Sequence, residues 1–273
     1  MSTTTASAAL PRTRRRADWR PRLVSAEFLK LRKRRGLVIS ALGLTILPMI
    51  IAYTVLLIAH AANPAKHGPA GGLANLSGSM DVLRQLGVVS AILIGATLGA
   101  GDLGSGVFRE LVITGRSRLA LFAARVPAGL GLVLPIVGAG FAVTAIGSTV
   151  FAGSLDAPSA SLLVESGAWL GLVTALSLML ALGVSSVFGS RGTTIGIVLG
   201  WQIIAAPVLL QIRALGSFRE GLLGAATDRL APAALFDGSY TVPMSIGAAA
   251  LVIAAWSVVP LAAGAWRTYT RDA

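Results

Sequence analysis

Residues able to do chemistry are few in this sequence, and their spacing excludes most of what they could do. There is no cysteine, which removes disulfides, thiolate zinc sites, iron–sulfur clusters and thiol nucleophiles. The two histidines, His60 and His67, share one Gly- and Pro-rich stretch with no third ligand at metal spacing, so each reads as a surface histidine. A phosphate-cradling G-x-x-x-x-G-K-[ST] loop needs lysine directly after glycine, because the ammonium must reach the phosphates that the loop wraps. The only lysines, Lys30, Lys33 and Lys66, follow Leu29, Arg32 and Ala65. The chain therefore has no P-loop, and no cofactor is expected in it; if ATP drives it, another subunit binds the ATP.

The densest pattern of polar groups lies between residues 101 and 118. Gly101, Gly104 and Gly106 interrupt an apolar run, a short helix fits from about Val107 to Thr114, and Gly115 stops it. Such a segment presents Arg109, Glu110, Arg116 and Arg118 to water. An ordinary positively charged loop beside a membrane would have the same residues.

These residues are carried by a chain built for a bilayer. Of 273 residues, 55% are hydrophobic and 12% charged, about half the charge that keeps a soluble domain of this length wet. Six uncharged apolar segments, at about 37–59, 85–101, 126–151, 167–188, 193–212 and 245–266, approach the roughly 20 residues needed to cross about 30 Å of hydrocarbon. The second is short and the third long. The reading is an all-α membrane protein with six transmembrane helices, residues 37–266, flanked by a basic tail (1–21), a segment at 22–36 and a C-terminal tail (267–273). The first span is too long for a cleaved signal, whose apolar region runs roughly 7 to 15 residues. Eighteen of the 23 Lys and Arg fall on the side of the N-terminus and five on the other, so both termini are expected in the cytoplasm. The formal charge of +12 is explained by this orientation, without nucleic acid.

In residues 22–36, Val24, Phe28 and Leu31 recur at helical spacing with Leu23 alongside, while Lys30 and Arg32–Arg35 supply cations. Either a helix lies in the inner interface here, or the segment is the positive flank of the first span. Residues 60–84 read as a flexible crossing. Residues 213–244 read as a short amphipathic helix ending before Pro232, with Leu215, Phe218, Leu222 and Leu230 near one face, or as a solvated loop. Gly95 and Gly99 in the second span, and Gly192, Gly196 and Gly200 in the fifth, form small-residue ridges that let helices approach, within one chain or across a dimer. Gln202 is the one strongly polar side chain deep in a span, placed to bond a neighbouring helix or to line a pathway. None of the six segments contains Asp, Glu, Lys, Arg or His, which deprives an ion-coupled carrier of its usual machinery.

The pattern G-x-x-x-x-G-x-x-R-E-L-x-x-T-G-x-S-R over Gly101 to Arg118, with Glu27-Phe28-Leu29-Lys30-Leu31-Arg32 just before the first span, resembles the permeases of the ABC-2 type exporters. The likeness extends to the six-span topology. It implies a permease subunit in a bacterial plasma membrane that pairs with a second copy or a related permease and docks separate ATPase subunits, which bind ATP and magnesium. Arg109, Glu110, Arg116 and Arg118 would then belong to the ATPase-coupling loop. Glu27, Phe28, Lys30 and Leu31 would belong to the interfacial helix that helps transmit movement, and spans two and five would face the dimer's pathway. A membrane-embedded assembly protein without transport is the rival reading, and an ion-coupled carrier a third.

Overall fold

A hydrocarbon environment offers backbone N–H and C=O groups no partners but one another, so a chain this apolar must form helices if it crosses a bilayer. In the computed structural model, which describes residues 21–104, 117–236 and 242–270, every regular element is helical. In chain order these are α1 (Pro21–Lys33), α2 (Arg35–Ala62), α3 (Leu73–Gly104), α4 (Arg118–Val150), α5 (Ala160–Phe188) and α6 (Arg191–Leu199). There follow a π-helical turn (Gly200–Ala205), α7 (Ala206–Gln211), a 3₁₀ stretch (Arg213–Gly221), α8 (Leu223–Asp228) and α9 (Ile246–Thr270). Six spans are long and apolar enough to cross a membrane, with α6, the π turn and α7 acting together as the fifth. The architecture is that of an all-α, multi-pass membrane protein.

Several helices run beyond the uncharged segments of the sequence. The second span begins at Leu73 rather than near Gln85, because Leu76, Met80 and Leu83 continue a fully buried stripe at helical spacing while Asp81 and Arg84 sit on the other side. The third begins at Arg118, where the Ser117 side chain accepts the Ala120 N–H, and the fourth at Ala160, where Ser159 caps the Leu162 N–H. The helices therefore contain Asp81, Arg84, Arg125 and Glu165. The expectation of spans without ionisable residues holds only for their central stretches, and the case it made against ion coupling weakens accordingly. The crossing at 60–84 contracts to residues 63–72 and is pinned: the Gly71 N–H donates to the Phe151 carbonyl at 2.7 Å, and Asn75 Nδ2 to the Gly71 carbonyl at 2.9 Å.

α3 and α5 form the centre. Two thirds (67%) of the most apolar stretch of each is buried within the chain, against 22% for α2 and 6% for α9. The outer helices turn Ile39, Ile51, Ile58, Leu251, Val258 and Val259 outward, a face that suits lipid. Hydroxyls lock the seams. Tyr53 Oη donates to the Thr144 carbonyl at 3.1 Å and lies 2.6 Å from Ser148 Oγ, joining α2 to α4. Ser185 Oγ donates to the Ala96 carbonyl at 2.7 Å, joining α5 to α3. At one end of the bundle Arg34, Gly101, Arg118 and Tyr269 come together; at the other lie residues 63–72, 151–159 and 212–236.

The expected single amphipathic helix in 213–244 is two pieces, broken by the left-handed Gly216 (φ 50°) and by extended Leu222. Its apolar residues diverge: Leu222 is buried while Phe218 is exposed. The reason is tertiary. Trp169 Nε1 on α5 donates to the Thr227 carbonyl, and Trp256 Nε1 on α9 to the Gly221 carbonyl, each at 2.9 Å. These bonds pull the segment down between the two helices.

Candidate functional site

Two regions can carry function, one at each end of the central pair. At the end shared by Arg34 and Tyr269, α3 finishes with carbonyls that have no partner within the helix and with the negative pole of its dipole. Arginines meet it. Arg125, on α4 and only 2% exposed, directs Nη1 to the Gly99 carbonyl at 3.5 Å, and the Arg34 guanidinium lies over Gly101. Arg118 Nη1 donates to the Tyr269 carbonyl at 3.1 Å, which ties the start of α4 to the end of α9. Of the four loop residues read from the sequence, only Arg118 is described; Arg109, Glu110 and Arg116 lie outside the described residues.

α1 packs against α4 rather than standing apart. Leu23 clusters with Leu121 and Ala124, Leu31 joins the main core, and Phe28 lies alongside Gly131. Glu27 is buried next to these apolar residues and takes Lys30 Nζ at 2.9 Å, which satisfies a carboxylate that burial would otherwise penalise. The residue motif of the sequence thus divides by face. Glu27 and Leu31 point into the bundle, Phe28 and Lys30 lie at its edge, and Leu29 is half exposed.

The two glycine ridges part company. A Cβ on Gly95 would sit 2.6 Å from the Leu178 carbonyl oxygen, and one on Gly99 2.6 Å from Ser185 Cβ, so this ridge serves packing inside the chain. At Gly192, Gly196 and Gly200 a Cβ would meet nothing within 4 Å among the described residues. That ridge faces away from its own bundle.

The second region is a cavity of about 220 Å³ at the opposite end, between α3, α5, the fifth span and α8. Its polar lining is unusual for this chain. The sequence contains three glutamines, Gln85, Gln202 and Gln211, and all three line this cavity, with Arg84, Ser177 and Asp228. The local fold of the fifth span makes this possible. Pro207 has no N–H to give to the preceding turn, and the backbone before it widens into a π turn in which the Ala206 N–H reaches the Trp201 carbonyl. Trp201 stacks on Trp256 of α9, with centroids 5.9 Å apart.

Gln202 is incompletely satisfied. Ser177 Oγ donates to Gln202 Oε1 at 3.0 Å, but the same hydroxyl lies 2.9 Å from the Val173 carbonyl and has one proton for both. The Gln202 Nε2 is buried without a partner among the described residues. Turning the carboxamide over satisfies Ser177 and strands Oε1 instead, so one amide atom is orphaned in either orientation. An orphan of this kind costs roughly 1 to 3 kcal/mol. Asp228 adds a second imbalance. Burial raises its carboxyl above the ordinary value of 3.8, the Arg84 charge opposing that shift and the Asp81 charge adding to it. Arg84 also lies 3.9 Å from Asp81, so one cation is shared by two carboxylates. The sequence reading singled out Gln202 and missed the rest, since Gln85, Gln211 and Asp228 are far apart in the chain and meet only once α8 folds over the helix ends.

Among the described residues, no group of three or more His, Asp or Glu could hold a metal ion. No protein-family model and no curated protein matches the sequence.

Proposed function

We propose that this protein is the permease subunit of an ATP-driven exporter of the ABC-2 type, working as a dimer with separate ATPase subunits and with both termini in the cytoplasm. The observation that carries the reading is the seating of α1 on α4 through Leu23, Leu121 and Ala124. α4 begins where the motif Gly101–Arg118 ends, so a force applied to that motif by an ATPase passes directly into α4, and α1 moves with it. The arginines gathered at the end of α3 give the motif a firm point of departure. The outward ridge Gly192, Gly196 and Gly200 packs against none of the described residues and is available to a second copy. Charge reversal at Arg109 and Glu110 is expected to abolish co-purification with a P-loop ATPase encoded beside this chain; a complex unaffected by both changes would place the docking surface elsewhere.

One observation favours a second reading, an ion-coupled carrier: Asp228, Asp81 and Arg84 cluster beside the cavity. That reading predicts proton- or sodium-dependent flux in vesicles without nucleotide, where the first predicts none.

A further inference from the structure

We infer that the cavity between α3, α5, the fifth span and α8 is a binding site for a small amino alcohol, its ammonium held at Asp228 and its oxygen at Gln202. The inference does not depend on the exporter reading, because one chain supplies every wall.

Charge sets the first requirement. Asp81, Arg84 and Asp228 interact with one another, and with both acids ionised the group carries one net negative charge, which a single monocation neutralises. The Asp228 carboxylate accepts no hydrogen bond from the described residues, so its oxygens are available to an N–H donor. Gln202 sets the second. Gln202 lines the cavity, and whichever way its carboxamide is turned one buried amide atom is left without a partner among the described residues; a hydroxyl, which both donates and accepts, satisfies either atom.

Size and walls set the third. At about 220 Å³ the cavity has room for roughly seven waters at about 30 Å³ each, below the range of drug-sized pockets. Val88, Leu176, Leu210 and the Trp201 ring face the same space, which suits a short methylene stem. A bare metal cation is a poorer fit, since Asp228 is the only carboxylate in the lining and Arg84 stands beside it.

This chemistry has two sources, free ethanolamine in solution and the headgroup of phosphatidylethanolamine. The full-length protein, in detergent and in nanodiscs of phosphatidylcholine alone, is titrated with ethanolamine by calorimetry. Separately, nanodiscs containing phosphatidylethanolamine are compared with phosphatidylcholine nanodiscs by thermal shift. Asp228→Asn and Gln202→Leu are each expected to weaken the response at least tenfold while eluting as wild type does on size exclusion. Gln202→Asn, which keeps the amide, is expected to retain part of it. Saturable binding of ethanolamine assigns a free solute, and stabilisation by the lipid alone assigns a headgroup; both support the inference when the variants abolish them. Absence of both responses, or responses that Asp228→Asn and Gln202→Leu leave unchanged, overturns it. Loss of ATPase binding would leave this result untouched, so failure of the two readings can be told apart.

Discussion

Replacing one glycine in each ridge with alanine tests the packing of the bundle most directly. At Gly99 the new Cβ would lie 2.6 Å from Ser185 Cβ and 2.7 Å from the Leu182 carbonyl oxygen, about 1 Å inside the 3.5 to 4.0 Å optimum for such contacts. Neither atom is the end of a flexible side chain, so α3 and α5 must separate. Separation also stretches the bond from Ser185 Oγ to the Ala96 carbonyl, now 2.7 Å. Overpacking costs typically 1 to 3 kcal/mol and a weakened hydrogen bond about 1 more, giving a loss of roughly 2 to 4 kcal/mol. Gly196→Ala meets no described atom within 4 Å and replaces a residue that weakens a helix interior by about 1 kcal/mol relative to alanine, for a gain of up to that amount. Equilibrium unfolding of the two variants in mixed micelles, followed by circular dichroism, is expected to move the midpoints in opposite directions. A Gly99→Ala protein as stable as wild type would refute the close α3–α5 approach. A Gly196→Ala protein destabilised while monomeric would refute the outward orientation of the second ridge.

Asp228 gives a pH signature. Its folded carboxyl titrates above 3.8, so the folded state binds a proton more readily than the unfolded chain does, and stability declines as pH rises from about that value through the folded one. Asp228→Asn is expected to remove that decline and to raise the melting temperature at neutral pH; parallel melting profiles for variant and wild type would show that burial does not penalise the charge. Orientation can be read from single cysteines, since the chain has none of its own. With the termini in the cytoplasm, an impermeant maleimide should label Ser154→Cys in intact cells and Lys33→Cys only after permeabilisation, and the reverse pattern would invert the topology.

Apolar length and charge placement are local properties, which is why six spans and their approximate centres were legible in the sequence alone. A bilayer tolerates few arrangements of a run such as Leu37–Ala59. Span ends were less legible, because burial rather than composition decides them. Leu76, Met80 and Leu83 extend α3 past two charged residues, and Arg125 is accommodated within α4 because the end of α3 lies beside it. The two glycine ridges have the same spacing and opposite surroundings, a difference no single helix encodes. The cavity depended wholly on tertiary structure. Gln85, Gln202, Gln211 and Asp228 lie on four separate elements, and their meeting is set by Pro207 widening the fifth span and by Trp169 and Trp256 holding residues 221–228 over the helix ends. Sequence fixes which side chains a helix can offer; which of them share a cavity is decided by how the helices pack, because hydrogen bonds and contacts between distant segments exist only in the assembled bundle.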